Sequence, residues 1–163
     1  MARGILEIDG RRIELTDEQV EKLLKSDNND SFRRDISKLY YYIDDCGKIK
    51  NSSESNHIVD ELRHNTANYC TDRELMQQRA LHEILDRLLW RFSMENDGDK
   101  IDWDCNNKNK YKIYRSEINK GFYAELNYEV KSNTIYFYSK EITERAIKEI
   151  IEPFMKEHPE FVW

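Results

Sequence analysis

The stretch from Thr71 to Met94 constrains the fold more than any other. Leu81, Ile84, Leu85, Leu88, Leu89 and Phe92 follow at i, i+3, i+4, i+7, i+8 and i+11, which puts them on one stripe of an α-helix. Thr71 with Glu74 reads as a capping box at its start. Gly98 stands beyond its end, and no proline interrupts it. Arg79, Glu83, Asp86 and Arg87 fall on the other side. A long helix with one apolar stripe needs a layer to lie on, and the chain after Ile101 supplies a sheet. Trp90 sits almost opposite the centre of the stripe. The sequence therefore places it either under a second layer, such as the Tyr40–Ile43 strand, or on a partner surface, where exposed aromatics act as anchors.

The rest of the chain follows from local patterns. Leu6 and Ile8, then Ile13 and Leu15, alternate around Asp9-Gly10, which predicts a hairpin over 4–15. Thr16-Asp17-Glu18-Gln19 is a capping box for a short helix with Val20, Leu23 and Leu24 on one face, ending near Ser26. Residues 27–35 are mostly polar and read as a linker. This divides the chain into a hairpin plus helix at 1–27 and a larger domain at 36–163. In that domain Leu39–Ile43 is a strand and Asp44, Asp45 and Gly47 turn it back. His57–Leu62 forms a helical turn.

Beyond the long helix, Ile101–Asp104 and Tyr111–Arg115 read as strands. From Phe122 to Val130 the alternation is strict, with Phe122, Ala124, Leu126, Tyr128 and Val130 on the buried face. Ser132-Asn133 turns the chain into Thr134–Tyr138, whose Ile135 and Phe137 are expected to share the core face with Leu126 and Tyr128. Ser139 caps a last helix with Ile142, Ala146, Ile147, Ile150 and Phe154 inward. Pro153 is expected to kink or restart it, and Pro159 to end it before Phe161, Val162 and Trp163. Strands joined by short turns between helices give an α+β fold. An antiparallel sheet is packed by the long helix and the C-terminal helix, with the N-terminal β-hairpin–helix unit attached. No internal repeat is legible.

Charge narrows the function. The 163 residues carry a net charge of −6 and are 36% charged. Such a surface disfavours a general grip on nucleic acid, which needs a positive field over phosphates, and suits a basic protein partner. No apolar run reaches membrane-spanning length, and the N-terminus has no secretory core. The three cysteines, Cys46, Cys70 and Cys105, are odd in number and far apart, which points to a reducing compartment. The expected setting is the cytoplasm of a bacterial or phage-infected host cell.

Chemistry-bearing patterns are sparse. Asp97, Asp99, Asp102 and Asp104 form an acidic cluster, and a strand at 101–104 would point Asp102 and Asp104 to one face. With Glu129-Val130-Lys131 they supply the residue types of a metal-dependent nuclease: carboxylates for a divalent ion and a lysine to orient water. The order of elements also resembles the core of the restriction-endonuclease-like nucleases. However, the Glu-x-Lys abuts a turn, lies on the wrong strand in the order and lacks a preceding Pro-Asp. The acidic run does not fit a calcium loop. The spacing of His57, His64, Cys46 and Cys70 matches no compact zinc site, and no glycine-rich phosphate loop is present. Tyr40, Tyr41, Tyr42, Tyr111, Tyr114, Tyr123, Tyr136 and Tyr138 are open to base stacking on a sheet face, with basic interleaving only around Lys108, Lys110, Lys112 and Arg115. The sequence thus predicts no cofactor and no metal site. It predicts a partner-binding surface made of Asp97, Asp99, Asp102, Asp104, Glu125 and Glu129, with Trp90.

Two groups of residues carry a resemblance. One is Ile5-Leu6-Glu7-Ile8-Asp9-Gly10 with Ile13-Glu14-Leu15-Thr16 and Glu18-Gln19-Val20. The other is Tyr41-Tyr42-Ile43 and Gly47-Lys48-Ile49, then Asn68-Tyr69-Cys70-Thr71 entering the long helix. Ile101-Asp102-Trp103 and Lys110-Tyr111-Lys112-Ile113 belong with them. Together they resemble small accessory proteins of phages and prophages of Gram-positive bacteria, where a tyrosine-rich strand pair precedes an Asn-x-Phe-x-Thr helix start; Tyr69 and Cys70 depart from that pattern. The resemblance implies an accessory gene of a class that includes inhibitors of bacterial defence, anti-CRISPR proteins among them. The partner so implied is a host defence or nucleic-acid-handling protein. It assigns no site residues.

Overall fold

The structure is a computed structural model that describes residues 4–8, 11–19, 30–105, 108, 110–128 and 134–163. It is an α+β fold whose chain divides into two compact units. The first comprises Met1–Tyr42 and Lys50–Arg73, the second Ile43–Ile49 and Glu74–Trp163.

In the first unit, β1 (Gly4–Ile8) pairs antiparallel with β2 (Arg11–Leu15), setting Leu6 opposite Ile13. The Asp9-Gly10 turn and the apolar face of the following helix, Val20, Leu23 and Leu24, lie outside the described residues. The capping box is present: the Gln19 amide donates to Thr16 Oγ1 at 3.3 Å and the Thr16 amide to Gln19 Oε1 at 3.0 Å. Strand β3 (Leu39–Ile43) and β4 (Ile49–Ser53) form a two-stranded sheet. Cys70 adds an antiparallel bridge to Tyr41 on the other edge of β3. Helix α1 (Ile58–Asn65) turns Asp60 inward and leaves Ile58, Val59 and Leu62 exposed. The expected linker is tied down over its described part: the Arg33 amide bonds the Asp30 carbonyl, and Arg34 reaches Glu54.

The second unit is built on α2 (Arg73–Glu95). Leu81, Leu85, Leu89 and Phe92 are buried in one core with Phe137, Ala146, Ile147, Ile151, Phe154 and Phe161, and Ile84 and Leu88 pack at its edge. The helix begins at Arg73, one residue beyond the Asp72 start that a Thr71 cap implies. Thr71 instead donates its amide and hydroxyl to the Ser31 carbonyl. The reversal after the helix is made by Asp97, at φ 66°, rather than by Gly98. Gly98 is required for a different reason: a Cβ there would meet Ser93 Oγ at 2.5 Å.

Strand β5 (Lys110–Arg115) is central. It pairs with β6 (Phe122–Asn127) on one edge and with β7 (Tyr136–Phe137) on the other. The expected 134–138 segment therefore returns along β5, where Ser93 Oγ donates to the Tyr136 carbonyl at 2.5 Å. Two further expectations are corrected. Residues 101–104 are not a strand, because Asp102 folds back to accept the Asp104 amide at 3.1 Å. Tyr128 lies past the end of β6 and is exposed instead of joining the core face. Ser139 caps α3 (Lys140–Ala146) through the Ile142 amide. A π-turn over Ile147–Ile151 then leads into α4 (Glu152–Glu157), with Pro153 in its first turn. A proline has no amide hydrogen to donate and crowds the carbonyl four residues back, so the wider turn upstream and the restart here follow from it.

Each of the hairpins β3–β4 and β5–β6 takes a further antiparallel neighbour on its first strand: Cys70 faces Tyr41 in a single bridge, and Phe137 faces Tyr111 where β7 joins β5.

Candidate binding surface

The second unit contains an open groove of about 430 Å³ lined by Asp86, Leu89, Trp90, Ile113, Phe137 and Trp163, among others. Helix geometry explains Trp90: its neighbour Leu89 takes the core position, so Trp90 turns about 100° away and is 59% exposed. Of the two placements offered for Trp90, the one under a second layer does not hold: the side chain is exposed. The C-terminal segment forms the far wall. It is held to α2 by Gln78, whose Nε2 donates to the Glu160 carbonyl at 2.8 Å and whose Oε1 accepts the Val162 amide at 2.9 Å. Phe161 is buried against Phe154 and His82, and Trp163 meets Phe122 edge-on with centroids 4.8 Å apart.

The acidic cluster divides into paired and unpaired members. Asp97 pairs with Lys100 at 2.7 Å and Asp102 with Lys108 at 2.8 Å. The Lys108 ammonium holds the Asp102 carboxyl below its ordinary value. Glu125 faces Lys112 across the β5–β6 pair at 3.0 Å. Asp99 and Asp104 are exposed and form no ion pair with any described residue. Glu129 lies outside the described residues, as does Lys131.

The same pairing uses up the basic strip. Lys108 and Lys112 are committed to carboxylates, and Lys110 is buried, its ammonium donating to the Cys105 carbonyl at 2.9 Å. Arg115 lies over the Phe122 ring. Among the described residues, no three His, Cys, Asp or Glu side chains converge as a metal site would require. His57 caps α1, His64 Nε2 bonds the Phe32 carbonyl, Cys46 is exposed and Cys70 is buried.

Sequence reasoning missed a polar network in the first unit. Arg34 grips Glu54 with two bonds, Nε to Oε2 at 2.9 Å and a terminal nitrogen to Oε1 at 3.0 Å. The Tyr40 hydroxyl donates to Asp60 Oδ1 at 2.6 Å and accepts from Arg63 at 2.7 Å. Asp60 Oδ2 accepts from the Ser55 amide, the Ser55 hydroxyl and the His57 amide. The hydrogen bond from Tyr40, with those from Ser55 and His57, drives the Asp60 carboxyl far below its ordinary value despite burial. Arg34 lowers Glu54 in the same sense. Tyr69 stacks on Tyr40 at 4.2 Å. Its buried hydroxyl makes no hydrogen bond of good geometry, and burial together with the nearby Glu54 charge pushes the phenol up to about 12. Both carboxylates are enclosed and satisfied, which suits a structural clamp more than a reaction centre. The available signal was an acidic residue, Glu54, in a short loop after a strand, which is weak.

No family model matches the chain, and neither the curated proteins nor the solved structures contain a match.

Proposed function

We propose that the chain is a non-enzymatic phage accessory protein that binds and blocks a bacterial defence or nucleic-acid-handling protein in the host cytoplasm, in the manner of an anti-CRISPR inhibitor. Its acidic residues compete with nucleic acid for a basic groove on the partner, and Trp90 supplies the apolar anchor. The observation that carries this reading is the 59% exposure of Trp90 in the middle of the principal helix. A large aromatic held open on a rigid element is what interface hot spots are made of. The exposed Asp99 and Asp104 carboxylates add the charge that a basic partner needs.

A direct nucleic-acid reading is less well supported, because Lys108, Lys110 and Lys112 are committed to intramolecular partners. The test is capture from a Gram-positive host lysate on the immobilised chain, followed by intact-mass identification. A basic defence or nucleic-acid-handling protein is expected, retained by wild type and lost when Asp97, Asp99, Asp102 and Asp104 are reversed to lysine. Capture unchanged by that reversal at low salt overturns the acidic surface. Retardation of DNA by the chain alone would favour the direct reading.

A further inference from the structure

We infer that the groove beside Trp90 is a receptor for an arginine side chain, presented by a basic segment of a partner protein. The inference rests on the reading above and specifies how that partner is gripped.

Trp90 and Trp163 both line the groove, from α2 and from the C-terminal segment. Asp86 lines it too, one helical turn before Trp90. Its carboxylate is exposed and forms no ion pair with any described residue. Leu89, Ile113, Ile135 and Phe137 make the floor apolar. Indole faces attract cations, and a guanidinium both stacks on such a face and offers a planar fork to a carboxylate. An ammonium offers neither the plane nor the fork. An anion would meet Asp86 and the indole faces, and a wholly apolar occupant would leave that carboxylate unpaired. The one cation in the wall, Arg87, does not reverse the balance, since it donates to Glu83 Oε2 at 3.2 Å. The net charge of −6 adds a field of the same sign.

The test uses the full chain and a short fluorescein-labelled Gly/Ser peptide with a central Arg-Ser-Arg, read by fluorescence anisotropy at low salt. Twin peptides replace arginine by citrulline, which keeps the shape and removes the charge, or by lysine. The arginine peptide is expected to bind saturably, the citrulline twin about tenfold more weakly, and the lysine twin in between. Trp90→Ala and Asp86→Asn are each expected to weaken the arginine peptide about tenfold. Trp90→Phe should keep most of the affinity, which separates ring chemistry from a folding defect. Glu117→Gln, an exposed acid that does not line the groove, should leave it unchanged.

Absence of binding overturns the assignment. So does equal binding of the citrulline or lysine twin, or equal loss in all three acid and tryptophan variants, which would mark diffuse attraction. Host-protein capture reads the broader proposal separately. If capture persists and the peptide fails, the groove assignment alone falls; if the peptide binds and nothing is captured, the inhibitor reading alone falls.

Discussion

The hairpins β3–β4 and β5–β6 each take a further antiparallel neighbour on their first strand, a single bridge from Cys70 in one and β7 in the other. They differ in what fills the equivalent places. Tyr40, before Tyr41 of the first bridge, is held by Asp60 and Arg63. Lys110, before Tyr111 of the second, is held by a backbone carbonyl. Around the second bridge lies an aliphatic and aromatic core that includes Leu85, Leu89, Ile147 and Ile151. Around the first lie Arg34, Glu54, Asp60, Arg63 and Tyr69. The return strand Ile49–Ser53 explains the difference, since Lys50, Asn51, Ser52 and Ser53 offer nothing to bury. Where apolar surface is scarce, directional bonds fix the topology instead. Such bonds depend on geometry and protonation, whereas a packed core depends on volume.

That contrast can be broken from either side. Ile151→Ala should have the largest effect, about 4 kcal/mol in urea unfolding, because Ile151 is fully buried and its loss leaves a cavity. Asp60→Ala should cost about 3 kcal/mol, since it strands the Tyr40 hydroxyl and buried amide donors. Hydrogen exchange should then rise across 39–71 and stay unchanged across 110–157.

Acid should act on the first region selectively. Asp60 and Glu54 titrate below their ordinary values in the folded chain, so their stabilisation is complete above about pH 5 and is lost as pH falls through the lower folded values. An acid titration followed by exchange should show 39–71 opening first, and Asp60→Asn should flatten that dependence. At the alkaline end the sign reverses. Tyr69 is raised to about 12, so its contribution is intact below pH 10 and fades as pH climbs towards the folded value. Absorbance at the tyrosinate band should include a late-titrating component. The smallest effect is expected for Lys110→Met, within about 1 kcal/mol of wild type, because an apolar isostere can replace a buried charge at little net cost. A large loss there would mean that the second region also relies on a polar keystone.

Periodic features were legible in the sequence and aperiodic ones were not. The stripe from Leu81 to Phe92, the Ser139 cap and the break at Pro153 each follow from a residue's own chemistry, and each appears in the structure. The pairing of β7 with β5 was not readable, because it is decided by Ser93 and the core around Phe137, far away in sequence. Nor was the α1 network, whose members Arg34, Tyr40, Glu54, Asp60, Arg63 and Tyr69 follow no period. In the candidate surface, Trp90 was named from its position on the helix wheel. Asp86, one helical turn before it, followed from the same wheel but was read only as part of the charged side, whereas Trp163 needed the three-dimensional path of the C-terminal segment to bring it into the groove.

The distribution of thiols equips the chain with its own reporter. Cys46 is exposed at a hairpin tip, while Cys70 sits buried in the bridge to Tyr41. A maleimide or disulfide reagent should modify Cys46 at once and reach Cys70 only when that bridge opens. After Cys46→Ser and Cys105→Ser, the rate of slow labelling at Cys70 would time the opening of that bridge alone, with a thiol the chain already carries.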